Sequence, residues 1–421
     1  VNLRDEAKAL DAADELAPFR ERFHLPEGIV YLDGNSLGAL PKQTKKRLNS
    51  VICEEWGEGL IRSWNEADWI DLPQRVGAKI APLIGAKPEE VIACDSTSVN
   101  LFKLIAAALA MRPGRRTILS EPGNFPTDLY MIQGLEAQGL ARQKLVSYQE
   151  LEAAIDDDTA LLLLTHIHYK TGRMHDMARL TKAAHEKGAL VLWDLSHSVG
   201  AVPLELDAKN VDFAVGCGYK YLCGGPGAPA FAYVAQRHLD APQGFRDGVN
   251  GQQGAFSQPL SGWFGHAAPF AFDDSYEPAP GIDRLLAGTP PILGLSALEA
   301  GVDLIADIGV ERLWQKSHRM SEFLRSCLAQ LGCDLELVSP ADPSLRGSQL
   351  SFQHEEAFAI CQALIARGII GDFRAPDILR LGFAPAYLTF ADIARTAEEL
   401  SDILSTRAFD RLEFRQRRAV T

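Results

Sequence analysis

Residues 189–200 read ALVLWDLSHSVG and residues 211–227 read VDFAVGCGYKYLCGGPG; each is an apolar run that breaks off into polar and glycine-rich residues. Near-continuous apolar runs of this length suit strands buried on both faces, the habit of parallel sheets covered by helices on each side. Ligands of such sheets bind beyond the carboxyl ends of the strands. Asp194, Ser196 and His197 follow the first run, and Gly218, Tyr219 and Lys220 follow the second, so both clusters are expected at one sheet edge.

The pattern repeats outward from there. VIACD (91–95), RTILSE (116–121), TALLLLTH (159–166) and PAFAYVA (229–235) are further runs of strand length, with helical periodicity between most of them. Asp95-Ser96-Thr97-Ser98 again supplies polar residues directly after a run. Residues 1–30 predict a helix and a connection, and GIVYLDGNSLG (28–38) a short strand entering a turn. The polar, glycine-rich residues 241–262 read as a loop or lid rather than a linker. After Pro290-Pro291 come two long helical stretches, 292–309 and 310–332. Short strands CDLELVS (333–339), GSQLSFQ (347–353) and ILRLGFA (378–384) then alternate with helical patterns, as in a compact α+β unit. The expected organisation is an N-terminal segment, 1–50, partly associated with a small C-terminal domain, 310–421, and a large, mostly parallel-sheet α/β domain over 51–309.

Composition narrows the function classes. Among 421 residues, 42 Lys+Arg against 55 Asp+Glu give a formal net charge of −13, which disfavours nucleic acid and anionic lipid as partners. No tract reaches the ~18 apolar residues of a membrane helix. Seven scattered cysteines without a C-x-x-C pair suit reduced thiols in the cytoplasm. The N-terminus is acidic and amphipathic, unlike a secretory signal.

The chemistry rests first on Asp194 and Lys220, 26 residues apart (194 to 220) and each at a strand end. A carbonyl cofactor needs a lysine for its imine, and pyridoxal phosphate needs a carboxylate that keeps its ring nitrogen protonated. The bland alternative is a helix-capping aspartate and a surface lysine. Thr97 and Ser98 open the helical run LFKLIAAALAM, where hydroxyls, backbone N–H groups and the helix dipole can hold a phosphate; an ordinary N-cap would look the same. His166 and His168 form an H-x-H without a carboxylate or cysteine companion, so no metal is expected there.

YLDGNSLGALP (31–41), NFPTDLY (124–130), WDLSHSVGAVPL (193–204), GYKYLCGGPG (218–227), GWFGH (262–266), AGTPPILGL (287–295) and LRLGFAPAYLT (379–389) together resemble the kynureninase family, a group of pyridoxal-phosphate enzymes of the fold-type-I, PLP-dependent transferase-like class. The resemblance implies hydrolysis of L-kynurenine, and less readily its 3-hydroxy form, to anthranilate and L-alanine in tryptophan catabolism, by a homodimer with shared sites. It implies that Lys220 binds the cofactor and moves protons, that Asp194 pairs with the ring nitrogen beside Asp128, and that Phe125 stacks on the ring. Thr97, Ser98 and Tyr219 are implied at the phosphate, with Trp263 and Thr289 reaching it from the neighbouring subunit, and His197 and Thr165 in the ring pocket. Arg380 is implied at the substrate carboxylate, where a guanidinium can bind bidentately. Asn35, Ser36 and Trp64 are implied at the aryl ketone end, with the Asn35–Ser36 turn and the Tyr219 phenol polarising the ketone and relaying protons. Thr289 and Trp64, where animal members carry Asn and His, resemble the bacterial type. Cysteine desulfurases would share the aspartate, histidine and lysine, but would be expected to add a loop cysteine and to lack GWFGH and FPTD. Of Arg173, Arg374 and Arg380, all near pocket segments, only Arg380 matches a family motif.

Overall fold

The computed structural model describes residues 2–240, 255–333 and 335–416, so residues 241–254 of the expected loop lie outside the described residues. The large sheet consists of β1 (Val91–Ala93), β2 (Thr117–Ser120), β3 (Arg142–Leu145), β4 (Thr159–Thr165), β5 (Leu190–Asp194), β6 (Phe213–Gly216) and β7 (Phe231–Val234), in the order β1-β7-β6-β5-β4-β2-β3. Among the described residues β7 alone runs antiparallel to its neighbours; every other pair is parallel. The central strands β4, β5 and β6 are buried along their whole length, as their unbroken apolar runs require. β3, RQKL, carries no apolar run because it is an edge strand with one open side.

The principal helices are α1 (Leu3–Ala12), α2 (Lys42–Ser50), α3 (Leu72–Ile80), α4 (Thr97–Met111), α5 (Pro126–Ala137), α6 (Met177–Glu186), α7 (Ile292–Ile308), α8 (Val310–Gln330), α9 (Ala357–Ala366) and α10 (Phe390–Ser405). α7 is apolar nearly all round and presses its backbone onto the turn after β6. A Cβ at Gly301 would stand 2.1 Å from the Leu222 carbonyl oxygen, so only glycine permits this approach.

The second sheet is antiparallel: β8 (Glu336–Leu337), β9 (Gln349–Gln353), β10 (Asp372–Arg374) and β11 (Ile378–Gly382), in the order β8-β9-β11-β10. The N-terminal segment is fastened to this part of the chain. Val30–Tyr31 pair in parallel with Ile369–Ile370. Asp11 accepts from the backbone N–H groups of Phe390 (2.6 Å) and Ala391 (3.0 Å), capping α10. Arg4 pairs with Glu398 at 2.8 Å and Arg20 with Asp392 at 2.9 Å.

Candidate active site

Polar residues from three strand ends converge on one cavity. Thr165 ends β4, Asp194 ends β5, and the turn after β6 carries Tyr219 and Lys220. Thr97 and Ser98 at the start of α4, Phe125 just before α5, and Tyr169, Ser196 and His197 complete the wall. Register brings them together, since Thr165 lies opposite Asp194 and Asp194 opposite Val215. The Lys220 Nζ is 3.0 Å from His197 Nε2 and 5.6 Å from the centre of the Phe125 ring. Ser96 caps α4 by accepting from the Val99 N–H at 3.3 Å. The first-turn N–H groups beside Thr97 and Ser98 have no partner within the helix and carry its positive end.

One residue that sequence reasoning missed organises this wall. Asn124 Oδ1 accepts from the backbone N–H of Phe125 (2.9 Å) and of Thr165 (3.1 Å) and contacts Thr165 Oγ1, while its Nδ2 donates to Ser120 Oγ at 3.2 Å. A single amide thus ties the ring of one segment to the strand end of another. An asparagine ahead of Phe-Pro reads from sequence as a turn former.

The electrostatics are those of a site built for a cation flanked by carboxyls. Burial pushes Asp128 well above the usual carboxylate range, and the neighbouring Asp194 pushes it further. Burial also raises Asp194, against hydrogen bonds from Ser196 and the charge of Lys220. The Ser196 N–H donates to Asp194 Oδ1 at 2.8 Å, whereas Asp128 Oδ1 is buried without a partner. Thr165 Oγ1 lies 3.0 Å from Asp128 Oδ2 and also against Asn124, and its one proton serves only one of them; a protonated Asp128 fills the other contact. Burial, then the charge of Lys220, hold His197 neutral, and its Nδ1 is buried and unpartnered. Burial likewise keeps the Tyr219 phenol protonated. Pyridoxal phosphate fits these residues: a lysine for its aldehyde, buried carboxyls for a protonated ring nitrogen, a phenyl face, and a helix start for its phosphate.

The remaining expected residues lie elsewhere. The bidentate face of Arg380 is turned to Asp372 rather than left open: Nε donates to Oδ1 at 2.8 Å and Nη2 to Oδ2, while Nη1 donates to the Tyr169 carbonyl at 2.7 Å. Because Tyr169 lines the cavity, Arg380 borders it. Ser36 is held at this guanidinium (Nη2 to Oγ 2.8 Å) instead of on the cavity wall, and Asn35 is buried beside Gln349 at 3.4 Å. The cause is the parallel bridge from Asp33 to Gly382, which draws the turn toward the small sheet. The same turn touches the lysine loop: the Gly38 N–H donates to the Tyr219 carbonyl at 2.8 Å. Trp64 packs on Trp69 and Phe264, each 6.0 Å between ring centres. Trp263 and Thr289 are exposed and outside their own chain's cavity, their segments joined by the Phe264 N–H to the Ala287 carbonyl at 3.1 Å.

Residues 30–246 match the aminotransferase class-V family model. Similar folds include a cysteine desulfurase from Thermococcus onnurineus NA1 (TM-score 0.76, 19% identity, 92% of this chain and 98% of that one). A C-DES mutant with glycine covalently linked to the PLP cofactor is a second (TM-score 0.75, 18% identity, 91% and 99%). Fold and site together define a pyridoxal-phosphate-dependent enzyme of fold type I. Residues 313–400 match the kynureninase C-terminal domain, and the kynureninases of Burkholderia mallei and Burkholderia pseudomallei are each 49% identical over 430 residues, covering 100% of both chains. That of Pseudomonas fluorescens is 47% identical with the same coverage. The chain belongs to the kynureninase family, pyridoxal-phosphate-dependent hydrolases of carbon–carbon bonds.

Proposed function

We propose that this enzyme hydrolyses the Cβ–Cγ bond of L-kynurenine to give anthranilate and L-alanine, with 3-hydroxy-L-kynurenine as a poorer substrate. The observation that carries the reading is the full-length match to kynureninases, which spans both the Lys220 cavity and the sheet bearing Arg380. When bound, pyridoxal phosphate supplies the electron sink for the carbanions of the reaction. Lys220 Nζ takes the α-proton and returns it along the reaction path, and His197, neutral and 3.0 Å away, accepts its hydrogen bond. Asp194 holds the ring nitrogen protonated. The protonated phenol of Tyr219 donates to the ketone oxygen, polarising it toward attack by water. Arg380, held by Asp372 and Ser36, anchors the α-carboxylate through its remaining N–H and its charge.

The same reading makes the enzyme a cytoplasmic homodimer. The exposed Trp263 and Thr289, with Trp64 packed behind Phe264, would serve the partner's cavity, and the apolar groove of Val51, Trp56, Trp69, Ile292 and Leu293 would lie in the interface. Its domain division is 1–50, 51–309 and 310–421. All seven cysteines are free, and no described helix is long and apolar enough to cross a membrane. No cysteine is among the described residues that line the cavity. The test is an absorbance spectrum of the purified holoenzyme followed by L-kynurenine. Anthranilate fluorescence with stoichiometric alanine is expected; sulfide and alanine from L-cysteine with no anthranilate would overturn the reading.

A further inference from the structure

Arg380 is one member of a four-charge cluster between the DGNSLG turn and the small sheet. Asp372 lies directly opposite it across the β10–β11 pair and grips the Nε–Nη2 edge of its guanidinium with both carboxylate oxygens. Arg374 Nη2 sits 2.7 Å from Asp372 Oδ2, and Ser36 Oγ bridges Asp372 (2.9 Å), Arg380 (2.8 Å) and Arg374 (3.1 Å). Asp33 completes the group: the bridge from Asp33 to Gly382 sets it two residues from Arg380, its Oδ1 is buried without a partner, and its carboxyl and that of Asp372 act on each other. Two carboxyl groups that act on each other bind best as one acid and one carboxylate.

The charge count decides what this cluster can accept. With both aspartates ionised, two anions cancel two guanidiniums, and an arriving carboxylate leaves a surplus negative charge in a desolvated place. With Asp33 protonated the cluster carries one positive charge, which a carboxylate neutralises. The other titratable groups facing Asp33 add none: burial keeps Tyr31 on its own strand, Tyr221 after β6, Tyr387 after β11 and Cys361 on α9 protonated and neutral. Lys220 is engaged with His197 and near Asp194 and Asp128 instead.

We propose that Asp33 and Asp372 share one proton and so set the charge of the substrate-carboxylate anchor, Asp33 acting as a positioning residue through Asp372 on Arg380, with binding of a carboxylate drawing a proton onto Asp33. This rests on the reading of Arg380 as that anchor. The division of roles follows the surroundings. Burial and the charge of Asp372 push Asp33 up to about 7, against Ser36 and Arg380. Burial acts most strongly on Asp372 too, but the charge and hydrogen bonds of Arg380, the charge of Arg374 and the contribution of Asp33 together outweigh it and hold that carboxyl low. The anchor is therefore cationic while Asp33 keeps its proton and loses its surplus charge when Asp33 ionises.

The test uses holoenzyme and two ligands: L-kynurenine for turnover, and 3-benzoylpropionate, the substrate's carbon skeleton without amines, for binding by calorimetry. In buffers of different ionisation enthalpy at pH 8, the probe should take up close to one proton. Above pH 7 its Kd, and the KM for kynurenine, should rise toward about tenfold per pH unit while kcat moves less. Asp33→Asn should abolish the uptake and flatten the KM profile, and Asp33→Glu should restore both. Absence of proton uptake, an unchanged profile in a folded Asp33→Asn, or no binding of the probe between pH 6 and 9 overturns the inference. Turnover of kynurenine without proton uptake refutes the proton sharing alone; proton-linked binding without turnover refutes the assigned reaction and leaves the anchor standing.

Discussion

Asp194 and Asp128 share a buried space in which burial raises both carboxyls, yet only Asp194 receives a backbone hydrogen bond, from Ser196, that favours its ionised form. Asp194→Asn should accordingly lower kcat far more than it weakens cofactor binding. The lost ionic hydrogen bond alone is worth roughly 1.5–3 kcal/mol, about 10–100-fold. Single-turnover rates beside cofactor titrations measure the split, with Asp128→Asn showing the smaller loss; a near-normal rate in Asp194→Asn would place Asp128 at the ring nitrogen. Asp194, His197 and Lys220 were legible because each follows an apolar run, where strand ends deliver side chains to one edge. Asn124 and Asp372 were not, since their importance lies in partners that only the fold brings near, Thr165 for one and Arg380 for the other. Ser36 was expected at a ketone and stands at a guanidinium because the bridge from Asp33 to Gly382 is invisible in the sequence.

Strands announced themselves by apolar continuity, so the buried strands of the large sheet were readable and the polar edge strand β3 and the three-residue β10 were not. The ends of the strands opposite the cavity carry their own anchor. Asp212, just before β6, accepts from the Val191 N–H of β5 (2.9 Å), His185 of α6 (2.7 Å), and Arg237 and His238 after β7 (2.7 Å each). Burial alone would raise its carboxyl, but the hydrogen bonds from His185 and His238 prevail and hold it well below the usual range. Replacing it by Asn removes the counter-charge of Arg237 and leaves one of the clustered donors without an acceptor, at a cost of about 1–3 kcal/mol. A carboxyl held low stabilises above its unfolded value near ~4, and that contribution fades as pH falls toward the folded value. Urea unfolding should thus show a large difference between wild type and Asp212→Asn at pH 7 that narrows below about pH 4. Equal midpoints at pH 7 would remove Asp212 as an anchor.

Across the whole molecule, Trp263 and Thr289 can be tested by complementation. Lys220→Ala subunits and Trp263→Ala/Thr289→Ala subunits, each inactive alone, should recover activity when exchanged. Random assortment makes half the dimers mixed, each with one unspoiled site, so about a quarter of all sites return. No recovery after verified exchange would assign both residues to their own chain's site or to none.

The pairing of Val30–Tyr31 with Ile369–Ile370 joins strands roughly 340 residues apart in the chain. A ribosome delivers these partners far apart in time: at ~5–20 residues per second, the first waits on the order of 20–70 s for the second. During that interval the DGNSLG turn has no bridge to Gly382 and Arg380 has not been made, while the Lys220 strand ends are already synthesised. Nascent chains can therefore assemble the large sheet before they can recognise a substrate, and a chain cut short before residue 369 keeps its lysine while leaving its N-terminal strand without the partner it folds against.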